Sequence, residues 1–104
     1  MDKKISEVVG GDAEKAIIGT VELSAPILVH GEETRFLEFR EPTGKDIMAC
    51  GAAFTIGIDE SVRIDYKAVG AYVVRLAGVP KNSVEQLSGR DLNACAQMVM
   101  GFFQ

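Results

Sequence analysis

Between Arg40 and Asp46 the period of the sequence changes. Upstream, apolar and polar residues alternate in twos. Downstream, apolar residues return at intervals of three and four. Any fold of this chain must therefore convert a strand into a helix across Arg40-Glu41-Pro42-Thr43-Gly44-Lys45-Asp46. Pro42 removes an amide from any ladder and drives Glu41 into an extended conformation, so the strand ends there. Thr43 is placed to accept the amide of Asp46, and the Asp46 carboxylate to reach back to the amide of Thr43, which is a capping box. Capping and solvation then account for the charges of the junction.

Upstream of the junction, Val21, Leu23, Ala25, Ile27 and Val29 share one face of a strand over residues 20–29. Pro26 makes it an edge strand or bulges it there. His30-Gly31-Glu32-Glu33 signals a loop of about four residues. The return strand, 34–40, sets Arg35, Leu37 and Phe39 on one face and Phe36 and Glu38 on the other. Residues 1–18 are of mixed polarity with a Gly10-Gly11 break, and read as a mobile arm that leads into the first strand near Ile17. Residues 19–104 read as one domain.

Downstream, the spacing predicts a first helix from Gly44 to Phe54, with Ile47, Cys50, Gly51 and Phe54 on one side and the small residues Ala49, Ala52 and Ala53 on the other. Residues 55–64 read as an irregular connection broken at Gly57. Asp65 is an N-cap for a second helix whose stripe is Val69, Tyr72, Val73 and Leu76, closed by a left-handed Gly78 with Pro80 just beyond. A short turn over 81–87 directs Val84 and Leu87 inward. Ser88 and Asp91 repeat the capping signature of Thr43 and Asp46 and open a third helix. The expected fold is α+β: an N-terminal β-hairpin followed by three main α-helices packed on it.

The apolar arc of that third helix is unusually wide. Leu92, Cys95, Ala96, Val99 and Phe103 form its centre, with Phe102 and Met98 on one flank and Met100 on the other. It covers roughly 200°, against the 100° or so that one core contact needs. Two readings follow. Either this is the central helix, covered on both sides, or part of its face is free for a partner, which Met residues suit. On the second reading Met98, Met100, Phe102 and Phe103, with Ala49, Ala52 and Ala53, make partner or self contacts.

Composition narrows the functions. The 11 basic residues are scattered among 15 acidic ones, for a net charge of -4, which fits neither a phosphate backbone nor an anionic membrane. No run approaches the roughly 20 apolar residues that span a bilayer, and the start lacks the apolar run of a signal peptide. Cys50 and Cys95 form no CxxC unit and read as small buried hydrophobes with free thiols. His30 is the only histidine and lies in the hairpin turn, so neither a Ser-His-acid site nor a metal site has a natural base or ligand set. Gly44-Lys45 is not a P-loop, because Phe39 stands where its first glycine would be and Asp46 follows the lysine. No cofactor and no catalysis are expected.

In order along the chain stand Val21-Glu22-Leu23-Ser24-Ala25-Pro26-Ile27, the turn at His30-Gly31-Glu32, then Phe36-Leu37-Glu38-Phe39-Arg40-Glu41-Pro42-Thr43 with Asp46. Leu76-Ala77-Gly78-Val79-Pro80 follows, then Val84-Glu85-Gln86-Leu87-Ser88 with Asp91, and Gly101-Phe102-Phe103 near the terminus. This series resembles the tail assembly chaperone family of Mu-like and related long-tailed bacteriophages over residues 20–103; residues 1–18 and 55–64 depart from it. The resemblance implies a non-enzymatic protein of the host cytoplasm. Such a protein binds the long, mostly helical tape measure protein, keeps it soluble until the tail tube polymerises, and is absent from the finished particle. It also implies a longer, frameshifted form of the chain as a second partner. The rival readings are a structural tail component retained in the virion, and a small enzyme or regulator unrelated to phage.

Overall fold

The computed structural model describes residues 16–103. The proposed arm lies, up to residue 15, outside the described residues. Strand β1 (Ile17–Val29) takes in the last two residues assigned to that arm, and pairs antiparallel with β2 (Glu32–Arg40). The loop between them is tighter than the sequence suggests. Only His30 and Gly31 lie outside the strands, both at positive φ (53° and 82°), which is the backbone of a two-residue hairpin turn whose twist matches its strands. Glu32 and Glu33 are already paired, with Val29 and Leu28.

Pro26 sits in a bulge. From the Glu22–Phe36 pair to the Ile27–Thr34 pair, β1 places Leu23 through Pro26 against Arg35 alone. The extra residues turn Ala25 out to solvent, and Arg35, opposite them, is exposed beside Glu33 rather than inward with Leu37 and Phe39. Val21, Leu23, Ile27, Leu37 and Phe39 form the buried face of the hairpin.

Helix α1 runs only from Gly44 to Cys50. Gly51 takes φ 82° and its amide closes on Ile47 O at 2.8 Å, so Ala52, Ala53 and Phe54 lie beyond the helix. The connection expected to be irregular is a second small hairpin, β3 (Phe54–Ile56) with β4 (Val62–Ile64). Its tip is fixed by Asp59, whose carboxylate accepts from the amide (3.1 Å) and hydroxyl (2.7 Å) of Ser61. Three-residue strands leave too little alternation to read from sequence.

Helix α2 (Tyr66–Ala77) follows its sequence pattern closely. Asp65 caps it by accepting from the amides of Lys67 and Ala68, Gly78 closes it in the left-handed region, and Val69, Tyr72, Val73 and Leu76 are buried. The short helix α3 (Lys81–Val84) leads to α4 (Gly89–Gly101). Cys95, Ala96 and Val99 of α4 meet the α2 stripe and the inner face of the hairpin in one apolar cluster.

The outer edge of β1 is closed by side chains. Ser83 Oγ donates to Leu28 O (2.7 Å), and Leu28 N donates to Gln86 Oε1 (2.8 Å). The Asp91 carboxylate accepts from Ser24 N (2.9 and 3.1 Å) and Ser24 Oγ (3.1 Å). Backbone groups that a bulged edge would leave bare are thereby satisfied.

Candidate partner-binding surface

The two capping signatures do different work once folded. At the first, Thr43 and Asp46 exchange both bonds of the box, and the Asp46 carboxylate also receives Arg40 through Nη1 (2.7 Å) and Nη2 (3.0 Å), and Arg75 Nε (2.9 Å). Of the junction charges, Glu41 and Lys45 are solvated as expected, whereas Arg40 and the buried, capping Asp46 form an ionic knot with Arg75. The Arg40 hydrogen bond above all, then Thr43 and Arg75, hold the Asp46 carboxyl far below the usual carboxylate range against the opposing effect of burial. At the second, Ser88 accepts from Asp91 N, but the carboxylate turns away to Ser24, so this box is only half formed. Burial raises the Asp91 pKa, and the Ser24 amide and hydroxyl outweigh it, leaving the group lowered.

These ties place α4 centrally, with the hairpin on one flank and α2 on the other. The Met98 sulfur lies where a side chain at position 19 would begin, so Gly19 lets it settle on β1. Phe102 stacks tilted on Phe39, with ring centroids 6.2 Å apart. Met100 is half-buried. Of the two readings of the wide arc, the geometry favours a central helix covered on both sides. The three alanines share no helix side, since α1 stops at Cys50: Ala49 and Ala52 are exposed and Ala53 is buried at 2%.

Three of the residues singled out from sequence do converge. Ala52, Ala53 and Phe103, with Ile47, Gly51 and Phe54, line a shallow apolar depression of about 320 Å³. Its aromatic wall is fixed by Phe103, packed edge-on against Phe54 (6.2 Å) and Tyr72 (5.8 Å), while the Tyr72 hydroxyl donates to Gly51 O at its floor. Ile47 is 39% and Phe103 36% exposed. Ala52 and Phe54 also line a neighbouring groove of about 610 Å³ with Arg63, Ile64, Tyr66 and Lys67. The first hollow is an apolar trough; the second shares Ala52 and Phe54 with it and is lined as well by Arg63 and Lys67. Asp65, also on that wall, is engaged in capping α2. Beside the trough the small hairpin projects the exposed side chains of Ile56, Ile58 and Val62.

Ile47 and Phe54 as trough walls are what sequence reasoning missed, because a helix continued through Phe54 turns both inward. The signal available was Gly51, placed where a helix C-terminus would need it.

Other candidate chemistry is dispersed. His30 is exposed in its turn, and Cys50 and Cys95 are free thiols. Burial pushes the Cys95 thiol up to about 11, away from the thiolate that reactivity requires. Among the described residues no three His, Cys, Asp or Glu side chains gather as a metal set, and no helix is long and apolar enough to cross a membrane.

A family model for phage tail assembly chaperone proteins, E, or 41 or 14, matches residues 20–104, from β1 through the end of α4. No curated protein and no solved structure matches the chain. The match takes in both capping signatures, the bulged hairpin and every residue of the trough, and the chain belongs to the phage tail assembly chaperone family.

Proposed function

We propose that this chaperone acts without catalysis, by binding apolar helical stretches of the tape measure protein in the host cytoplasm. It holds them soluble until the tail tube forms and is absent from the mature virion. The observation that carries the reading is the trough of Ile47, Ala52, Phe54 and Phe103: an open apolar surface of concave shape on a chain otherwise rich in exposed charge. A helical protein made before its tube exposes apolar stripes that aggregate unless covered. Covering by a shallow trough is reversible, and the net charge of -4 keeps the complex dispersed. A longer, frameshifted form of the chain is the second partner in this reading.

Co-expression tests it. Tape measure protein made alone is expected in the pellet, and with this chain in the supernatant as a complex. Equal solubility in both cases contradicts the reading. Mass spectrometry of purified particles addresses release: stoichiometric presence of the chain in virions would make it a structural tail component instead.

A further inference from the structure

The second hollow is cationic on an acidic chain. Its apolar lining is Ala52, Phe54, Ile64 and Tyr66, and Arg63 and Lys67 stand among them. Both cations are exposed, and among the described residues neither pairs with a carboxylate. Asp65, the one carboxylate on the lining, accepts the amides of Lys67 and Ala68 at 3.1 Å. Lys67 occupies the first turn of α2, where a cation opposes the helix dipole rather than complementing it. From the charge complementarity this offers, we infer that the hollow selects apolar helical stretches by what flanks them. It takes stripes bordered by aspartate or glutamate, with those carboxylates meeting Arg63 and Lys67. The inference rests on the tape measure reading for its natural ligand, and adds to it which stretches of that protein are held.

Apolar contact with Ala52, Phe54, Ile64 and Tyr66 supplies most of the affinity. Exposed ion pairs contribute little each, so the two cations discriminate between stripes more than they hold them. The net charge of -4 works in the opposite sense, since at long range it attracts a basic peptide and repels an acidic one. That field is screened beyond roughly 8 Å at physiological ionic strength, whereas the pairs to Arg63 and Lys67 act at contact. A preference for acidic flanks is therefore a signature of the hollow and not of the overall charge.

Fluorescence anisotropy with the full chain tests it. The probes are three helical peptides of about 20 residues that share one leucine stripe and differ only in its flanks, which are glutamate, glutamine or lysine. At physiological ionic strength the glutamate peptide is expected to bind about fivefold tighter than the glutamine peptide, and the lysine peptide weakest of the three. Arg63→Glu with Lys67→Glu is expected to reverse that order, and Arg63→Gln with Lys67→Gln to remove the glutamate advantage. Circular dichroism confirms that each exposed-site variant is folded; where one is not, the wild-type order decides. Equal binding of the glutamate and glutamine peptides by wild type overturns the proposal, as does tightest binding of the lysine peptide or binding of none of the three. A folded reversal variant that keeps the wild-type order overturns it too. None of these results bears on whether the tape measure protein is solubilised at all, which is read by co-expression.

Discussion

Arg75 donates its Nε proton to Asp46 Oδ1 over 2.9 Å, and so ties the last turn of α2 to the first turn of α1. Arg40 grips the same carboxylate from the end of β2 and reaches Arg75 O at 3.2 Å. One side chain, 1% exposed, therefore joins three elements where the strand becomes a helix. The short α1 and the Gly51 turn that follow it, which carry Ile47 and Ala52 to the trough, depend on that knot.

Replacing Asp46 by Ala leaves two guanidinium groups without their carboxylate and opens the Thr43 cap. Because both arginines are partly exposed and can be rehydrated, the expected cost is about 3 kcal/mol, toward the lower end for a broken buried pair. Urea denaturation of the variant and wild type checks it, and a loss within error of zero would show the knot to be ornamental.

The same carboxylate predicts a pH dependence. Its pKa is lowered in the folded state, chiefly by the Arg40 hydrogen bond. The stability it contributes is therefore complete above the unfolded-state value of about 3.9 and drains away as pH falls below that toward the folded value. The stability gap between wild type and Asp46→Asn is expected to be constant through neutral pH and to narrow once pH drops under about 4. A gap that closes already on the approach to neutral pH contradicts the assignment.

Asp91 should reveal its long-range role through Ser24. In Asp91→Ala the Ser24 amide loses its acceptor, its hydrogen exchange accelerates, and stability falls by about 1–3 kcal/mol. Asp91→Asn keeps one acceptor oxygen and should lie between. Unchanged exchange at Ser24 would mean that the bulge is held without α4.

At the hairpin turn, Gly31 at φ 82° resists a side chain while His30 at φ 53° tolerates its own. Gly31→Ala is expected to cost about 1 kcal/mol or more, and His30→Asn to gain about 0.5 kcal/mol, because Asn accepts the left-handed region more readily. Thermal melts of the two variants should move in opposite directions.

The parts legible from sequence were those governed by local rules. The Asp65 cap, the Gly78 stop and the Val69–Leu76 stripe of α2 follow from residues within one or two turns of each other, and the strand alternation through Leu37 and Phe39 is of the same kind. What sequence withheld depends on partners far along the chain. Thr43–Asp46 and Ser88–Asp91 look alike as text, yet one carboxylate closes its cap while the other reaches Ser24 across 67 positions. Gln86 and Ser83, which cover the edge of β1, have no pattern of their own. The wide apolar arc of α4 marked a helix with two neighbours. The open surface lies instead where Gly51 ends α1 early, with Ile47 and Ala52 exposed on either side of it in the chain.

The central claim is that the trough carries the chaperone activity, and a single co-expression measurement addresses it: the soluble fraction of tape measure protein with Ile47→Glu/Ala52→Glu in place of the wild-type chain. Both positions are exposed, and melting curves establish that the variant is folded. The account predicts that this folded variant leaves the tape measure protein in the pellet. A folded variant that solubilises it as well as wild type would place the activity on another surface.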